Sequence, residues 1–315
     1  MKTVLPNFFV VGAMKAGTTS LYNYLKVHPE IYMSPVKEPN YFATDINTRL
    51  IKPAYRVHPL AKNYLQGIMQ EEVHISYITD FEYYMKLFQN VTTERIIGEA
   101  STSYLYSRQA PRNILNSVPN AKIVIILRDP IERAYSHYCM DVGTGLTQDF
   151  FLEAVKKDFN AKEKGWGITS LYIELGLYHE QVKRYLDLFP KEQVKVYLFD
   201  DLKTNLGEVL QDIAVFLNIN ASSFIKDGKR YNERQWPRFI GINYWLHKLY
   251  IKDFVRKILP RHFIEYGKNI YYSDRLIPSM SRKEVHYLQS LFKEDVKRLS
   301  ELLNRDLSHW KTNGK

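Results

Sequence analysis

The chain has 315 residues, of which 45% are hydrophobic and 14% aromatic, so it can bury a full core and is not a disordered chain. It carries 44 basic against 34 acidic residues, a net charge of +10 that suits nucleic acid, an anionic membrane or an anionic cofactor. The single cysteine, Cys139, excludes an internal disulfide framework and indicates a reducing, cytoplasmic compartment.

The first predicted elements are a buried strand, a glycine-bracketed turn and a helix. Residues 8–19 read Phe-Phe-Val-Val-Gly-Ala-Met-Lys-Ala-Gly-Thr-Thr. Gly12 and Gly17 allow a tight turn and a close approach to an anion, while the amides that open the helix point at bound oxygens. The apolar run is too short for a signal peptide or a membrane span, so no transmembrane segment is expected.

The position of the lysine in this turn separates two chemistries. The spacing from Gly12 to Gly17 is that of an NTPase P-loop, but Thr18 stands where the NTPase lysine belongs and Lys15 lies inside the loop. A lysine inside the loop suits a short 5′-phosphate chain better than a triphosphate beside magnesium. No metal is therefore expected.

This loop resembles the 5′-phosphosulfate loop of the sulfotransferases that use 3′-phosphoadenosine 5′-phosphosulfate (PAPS). The resemblance implies an α/β, P-loop NTPase-like three-layer fold with a central parallel sheet. It also implies that the chain binds PAPS and releases adenosine 3′,5′-bisphosphate. The loop residues assigned to the cofactor are Gly12, Ala13, Met14, Lys15, Ala16, Gly17, Thr18 and Thr19.

A proline-bracketed segment, Ser-Pro-Val-Lys-Glu-Pro-Asn-Tyr-Phe at 34–42, follows a first helix predicted at about 18–27. Its prolines keep it out of helix. In the glycan-modifying and bacterial sulfotransferases, a Glu just before an aromatic pair is the general base, so the resemblance implies that Glu38 removes the acceptor's proton. The alternative is a loop carboxylate paired with Lys37 or Lys26.

The next predicted strand, 95–98, leads into a departure from the family pattern. Some glycan sulfotransferases carry a second lysine after a Gly-Glu pair, but Ala100 follows Gly98-Glu99 here. Charge stabilisation at the transferring group is therefore assigned to Lys15 as a catalytic residue, or to a cation that the sequence does not locate. A second difference is that the C-terminal Arg-Lys-Gly run of the steroid and phenol sulfotransferases is absent, which places the chain nearer the glycan and bacterial branch.

A second motif lies at 123–136, Ile-Val-Ile-Ile-Leu-Arg-Asp-Pro-Ile-Glu-Arg-Ala-Tyr-Ser. Five aliphatic residues predict a buried parallel strand, and Pro130 suits the first turn of a helix. Arg128 then lies at the carboxyl end of a central strand, where open α/β sheets bind ligands, with Ser136 about two turns into the helix. The family resemblance assigns both to the cofactor's 3′-phosphate. The alternative is an Arg128 paired with Asp129 or Glu132, with Ser136 facing solvent from the helix.

The rest of the chain is interpreted as one sulfotransferase domain over 1–315. A strand at 194–199 and helices at 170–188, 205–217 and 285–303 follow from apolar runs and helical spacing. Two regions rich in aromatic and basic residues, 44–90 and 231–281, are interpreted as insertions that line the acceptor cleft. Lys229 and Arg230 fall where the family often has a loop closing over the cofactor.

Basic and apolar residues alternate between Lys248 and Arg261, which predicts a basic amphipathic helix. The simplest interpretation is a solvated face over a core stripe, and a weak peripheral contact with a membrane or an anionic substrate is the alternative. No zinc-finger, RNA-recognition or Gly-x-Gly-x-x-Gly fingerprint occurs, so nucleic acid is not the expected partner.

The function expected from the sequence is transfer of a sulfuryl group from PAPS to a hydroxyl, or alternatively an amine, of a small-molecule or saccharide acceptor. Glu38 is the expected base and Lys15 the expected cation. The first alternative is a P-loop nucleoside or small-molecule kinase, against which the missing Gly-Lys-Ser/Thr counts. The second is a non-catalytic nucleotide- or membrane-binding protein. Acceptor identity and oligomeric state do not follow from the sequence.

Overall fold

The computed structural model describes residues 4–51, 73–74, 77–224, 236–249, 251, 262, 264 and 271–313. Within them the strands are β1 (Phe8–Gly12), β2 (Ile31–Met33), β3 (Val36–Lys37), β4 (Val73–His74), β5 (Ile96–Ala100), β6 (Lys122–Leu127), β7 (Val194–Leu198), β8 (Trp236–Pro237) and β9 (Tyr272–Ser273). The helices are α1 (Thr18–Lys26), α2 (Phe81–Lys86), α3 (Ser103–Tyr106), α4 (Ala110–Ser117), α5 (Pro130–Thr144), α6 (Phe151–Phe159), α7 (Tyr178–Leu188), α8 (Phe199–Thr204), α9 (Leu206–Leu217), α10 (Ile240–Lys248) and α11 (Arg282–Leu303).

Five strands form one parallel sheet in the order β2-β5-β1-β6-β7. All of β1 and all but the first residue of β6 are buried. Because successive side chains of a strand point to opposite faces, protein covers both faces of this sheet. The expectation of an α/β fold with a central parallel sheet is confirmed, and the carboxyl ends of β1, β5, β6 and β7 share one edge.

Local signals explain where the helices around this sheet begin. The Asp129 carboxylate caps α5 by accepting hydrogen bonds from the amides of Ile131 and Glu132, and Pro130 occupies the first turn. At α11, Ser281 and Glu284 form a reciprocal capping box. Cys139 is buried within α5 and is not in a disulfide.

The helix predicted at 170–188 is wrong in its first part, since α7 begins only at Tyr178 after a 3-10 turn at Glu174–Gly176. The Asp158 carboxylate accepts hydrogen bonds from the amides of Ser170 (2.7 Å) and Tyr172 (3.0 Å), and this tertiary contact holds the segment out of helix. Strand β5 also runs two residues beyond its predicted end, to Ala100.

Two predicted features fall partly or wholly outside the described residues. The basic helix predicted between 248 and 261 begins where α10 ends, and residues 252–261 are not described. Lys229 and Arg230 are likewise not described.

Among the described residues, no helix combines the length and the apolar character needed to cross a bilayer.

Candidate active site

The glycine loop, residues 12–19, leaves the carboxyl end of β1 and enters α1. Gly12 has φ 153°, and a Cβ there would lie 2.7 Å from the Leu105 Cβ. Gly17 has φ 93°, and a Cβ there would lie 2.8 Å from the Phe199 ring. Both positions therefore require glycine, as their interpretation as turn residues predicts.

The start of α1 has the properties of an anion site. Gly17 is its N-cap residue and supplies no side-chain hydrogen bond to the first turn, which contains Thr18 and Thr19. The amides of a first helical turn lack intrahelical acceptors and lie at the positive end of the helix dipole. An anion held there would receive hydrogen bonds from the backbone itself.

Lys15 has a left-handed backbone (φ 66°) and ties the glycine loop to β6 and α5. Its carbonyl accepts a hydrogen bond from the Arg128 guanidinium at 3.1 Å, and its Nζ lies 3.7 Å from the Met140 Sδ on α5. The two sequence motifs, 113 residues apart at Lys15 and Arg128, are thus in direct contact. Lys15 lies inside the loop rather than at the start of α1, in agreement with its interpretation from the sequence.

Arg128 is buried at the carboxyl end of β6, where the sequence places it. Its guanidinium carbon lies 4.8 Å from the centre of the Phe199 ring, and one nitrogen lies 3.4 Å from a carboxylate oxygen of Glu132. The alternative ion pair with Glu132 is therefore present, although 3.4 Å is long for a charge-assisted hydrogen bond. Ser136 is buried in the second turn of α5, and no described contact joins it to Arg128.

Asp129 is not the partner of Arg128, because its carboxylate is occupied elsewhere. One oxygen caps α5, and the other accepts a hydrogen bond from the amide of Lys311, whose ammonium pairs with Glu132. The C-terminal turn Lys311–Asn313 is thereby docked on the first turn of α5. The predicted alternative of an Arg128–Asp129 pair is wrong.

Glu38 is buried near the edge of the sheet at which the glycine loop lies, and its backbone is left-handed (φ 65°). Its Oε1 accepts a hydrogen bond from the Lys37 ammonium and its Oε2 one from the Thr102 hydroxyl, both at 2.9 Å. The ion pair with Lys37 is the alternative that the sequence leaves open. Both partners of this pair are buried, which is costly for charged groups and typical of functional sites more than of ordinary loops.

Three consecutive hydroxyl residues after β5 hold the segment around Glu38, and the sequence analysis missed their role. Ser101 Oγ accepts from the amide of Asn40 (3.2 Å), Thr102 donates to Glu38, and Ser103 donates to the Asn40 side chain (2.5 Å). Their signal is a hydroxyl run directly after a predicted central strand. They orient the carboxylate without adding charge.

Lys37 is a buried cation in the segment that contacts Ala100, where the family pattern departs. The amide of Glu38 donates to the Ala100 carbonyl at 2.8 Å. A lysine at position 100, as some glycan sulfotransferases carry, would therefore project from the strand that Glu38 contacts. Lys37 reaches the same carboxylate from the neighbouring position in sequence. It supplies a positive charge here that sequence reasoning did not locate.

His137 is a second group that the sequence analysis missed. It is buried on α5 one residue after Ser136, and its Nδ1 has no hydrogen-bond partner among the described residues. Burial holds the pKa of His137 well below its usual value, and the charges of Arg133 and Lys15 lower it further. A neutral imidazole therefore lies near the Lys15 ammonium.

Glu99 lies fully buried in β5 beneath the site, close to the hydroxyls of Tyr84 and Tyr104. Burial raises the pKa of Glu99 from 4.5 to about 8, and the neighbouring Tyr104 and Tyr84 hydroxyls limit the rise. The carboxyl is thus largely neutral at pH 7.

We expect Glu99→Gln to increase the free energy of unfolding at alkaline pH and to have little effect in acid. In the wild type the unfolded carboxyl ionises above its usual pKa of 4.5, whereas the folded one ionises only near 8. Wild-type stability therefore falls across that window by up to about 1.4 kcal/mol per pH unit, while the amide does not titrate. Urea unfolding of both proteins from about pH 5 to about pH 8 measures the difference. A difference independent of pH would contradict the assignment.

A cavity of about 550 Å³ opens beside the segment that carries Glu38. Asn40 and Tyr77 belong to its wall, and its described lining has neutral polar and apolar side chains but no charged one. The polar lining residues include Thr44, Thr48, Thr79, Asn113, Asn116 and Ser117.

No group of three or more His, Cys, Asp or Glu side chains suited to a metal ion occurs in the described part of the chain.

Comparison with known proteins identifies similar domains. Residues 5–235 match the family model described as "Sulfotransferase domain". The human bifunctional heparan sulfate N-deacetylase/N-sulfotransferase 3 is 28% identical over 221 residues, which cover 68% of this chain and 22% of that protein. Human carbohydrate sulfotransferase 15 is 24% identical over 254 residues, covering 70% and 45%. The chain thus spans less than half the length of these curated relatives.

Solved structures show the same architecture. A sulfotransferase from Alicyclobacillus acidocaldarius superposes with a TM-score of 0.69 at 29% identity, covering 98% of this chain and 99% of the other. The sulfotransferase domain of the curacin biosynthetic pathway superposes with a TM-score of 0.51 at 13% identity, covering 97% and 100%, and shows a shared fold alone.

Proposed function

This chain belongs to the sulfotransferase domain family, and we propose that it transfers a sulfuryl group from PAPS to a hydroxyl, or alternatively an amine, of a saccharide or small-molecule acceptor. The observation that carries the proposal is that two groups lie at the same edge of the sheet. One is the glycine loop with its interior Lys15, and the other is the buried carboxylate of Glu38.

The residues at this edge fit the anionic donor that the resemblance implies. The uncapped start of α1 offers backbone amides, and Lys15 and Arg128 contribute two positive charges from adjacent elements. When bound, PAPS supplies the sulfuryl group and a 5′-phosphate leaving group. Lys15 and the loop amides would neutralise charge on that phosphate, which is preorganised electrostatic stabilisation. Arg128 and Ser136 are assigned to the 3′-phosphate.

On the acceptor side Glu38 acts as the general base. A neutral hydroxyl is a poor nucleophile, and a carboxylate within hydrogen-bond reach removes its proton as the new bond to sulfur forms. The new oxygen–sulfur bond replaces the bond between sulfur and the phosphate oxygen, and the proton ends on Glu38. Hydrogen bonds from Lys37 and Thr102, one to each oxygen, hold the carboxylate in one orientation for this step.

Two observations support a saccharide as the acceptor. The relatives are named as heparan sulfate and carbohydrate sulfotransferases, so a saccharide is the first candidate. The cavity next to Asn40, two residues after Glu38, has side-chain hydroxyls and amides among its lining groups, which suit a polyhydroxy acceptor. This cavity lies partly in the region 44–90, which we propose as an acceptor-cleft insertion.

We expect transfer from ³⁵S-labelled PAPS to a panel of saccharides to continue unchanged in excess EDTA, with ATP inactive as a donor. The physical reason is that the loop lacks the Lys-Ser/Thr arrangement by which an NTPase binds magnesium and the γ-phosphate. Scintillation counting of the purified acceptor measures transfer. Loss of transfer on chelation with recovery on adding magnesium, or phosphoryl transfer from ATP, would instead support a kinase.

A further inference from the structure

Helix α10 buries the polar residue Asn243 and exposes several apolar side chains at and beside the helix. Asn243 is fully buried, whereas Phe239, Ile242, Trp245 and Leu249 are each between 51% and 60% exposed. Ile242, Trp245 and Leu249 follow the spacing i, i+3, i+7, so they lie on one face of the helix, opposite Asn243. We call these four residues the outward face. A helix that only covered a core would show the reverse pattern.

The inward side explains why the helix is held in this orientation. The Asn243 side-chain amide donates to the carbonyls of Val142 (2.6 Å) and Gly143 (3.1 Å), so it caps the end of α5, and it accepts from the Tyr272 hydroxyl (3.0 Å). The preceding strand β8 is anchored by Trp236, which packs against Tyr138 with ring centres 6.0 Å apart. The helix is therefore anchored by contacts that do not involve the outward face.

The stretch of sequence that carries the outward face, residues 236–251, is positively charged. It includes Arg238 and Lys248 but no Asp or Glu. The Lys248 ammonium lies 5.0 Å from the centre of the Trp245 ring, so a cation borders the apolar side chains directly. Tryptophan and aliphatic side chains flanked by lysine and arginine are typical of helices that lie in the interface of an anionic bilayer.

We propose that the outward face of α10 docks on an anionic phospholipid surface. Apolar side chains enter the boundary between headgroups and acyl chains, while Arg238 and Lys248 contact lipid phosphates and carboxylates. A second copy of the chain suits this face less well, because a two-fold contact would bring Arg238 and Lys248 of both copies together. Docking is independent of the sulfuryl-transfer proposal and is measured without turnover.

The test compares sedimentation of the full chain with vesicles of phosphatidylcholine alone and with added phosphatidylserine. We expect binding only to the anionic vesicles, weakened by salt because the charged contacts are screened. Trp245→Asp should weaken binding about tenfold or more, because it removes a large apolar group and adds a negative charge. Val215→Asp, at an exposed site on α9, makes the same change in net charge and should alter binding less than about twofold.

A second pair of variants tests the contribution of the Lys248 charge to vesicle binding. Lys248→Glu should weaken binding several-fold more than Lys191→Glu, an equal charge reversal at an exposed turn away from α10. Trp245 fluorescence should shift to shorter wavelength on anionic vesicles and the shift should be absent in Trp245→Phe. Because Asn243 is intact in every variant, wild-type thermal unfolding is expected of each.

Two results would overturn the proposal. One is a wild-type protein that does not bind anionic vesicles. The other is Trp245→Asp and Val215→Asp binding equally well. If sedimentation equilibrium instead shows a wild-type dimer that Trp245→Asp dissociates, without vesicle binding, the outward face belongs to a second copy of the chain and the lipid assignment is wrong.

Discussion

Glu38→Gln should lower the turnover number for sulfuryl transfer by about 10²–10⁴-fold while leaving the affinity for adenosine 3′,5′-bisphosphate near the wild-type value. The amide keeps the shape of the side chain but has no basic oxygen. Its carbonyl can still accept from Lys37 and its NH₂ can donate to the Thr102 hydroxyl, so the local geometry is retained. Turnover with labelled PAPS and calorimetric binding of the bisphosphate measure the two quantities separately.

Thr102→Val is the matched control for this variant. It removes one hydrogen bond to Glu38 but leaves the carboxylate, so we expect a loss of about tenfold, much smaller than for Glu38→Gln. Near-normal turnover by Glu38→Gln would eliminate Glu38 as the base. The search for the base would then turn to His137, which lies near Lys15.

The sequence predicted those parts of the site that depend on strand ends. The strands at 8–12 and 122–127 are dense apolar runs, and each is followed by residues that stop a strand and start a helix, glycines in one case and Asp129-Pro130 in the other. In a parallel sheet such ends share one edge, so the meeting of Lys15 with Arg128 follows from the fold class.

The parts that sequence did not predict depend on contacts between distant segments. Thr102 reaches Glu38 across 64 residues because β5 lies between β2 and β1 in the sheet, and no periodic pattern encodes that strand order. Phe199 approaches both Gly17 and Arg128 only because β7 pairs with β6.

Helix periodicity failed at 170–177 for a related reason. Leu171, Ile173 and Leu175 are buried apolar residues whose spacing does not exclude a helix. Carboxylates on other helices accept hydrogen bonds from this segment instead. Asp158 accepts from the Ser170 amide, and Asp141 accepts from the Ser170 hydroxyl at 2.6 Å. Leu171 adopts φ 52° as a result of this path, which a sequence pattern does not indicate.

Arg128 is expected to distinguish ligands by their 3′-phosphate. The wild type should bind adenosine 3′,5′-bisphosphate roughly ten- to a hundredfold more tightly than adenosine 5′-monophosphate, because a charge-assisted hydrogen bond contributes on the order of 1.5–3 kcal/mol. Arg128→Ala should erase most of this preference. Lys15→Ala should weaken both ligands and leave their ratio nearly unchanged, since Lys15 is assigned to the 5′ side. Titration calorimetry with both nucleotides gives the four affinities.

The observed pair of Arg128 with Glu132 provides the control for this assignment. At 3.4 Å the pair competes with a 3′-phosphate for the guanidinium, so Glu132→Gln should raise affinity for the bisphosphate and leave affinity for the monophosphate unchanged. If Arg128 is instead a structural ion-pair residue, Arg128→Ala will discriminate between the nucleotides as well as the wild type does. Arg128→Ala also removes the hydrogen bond from Arg128 to the glycine loop, and damage to the whole site would lower the affinities for both nucleotides together. Loss of the 3′-phosphate contact alone would instead change the ratio of the two affinities.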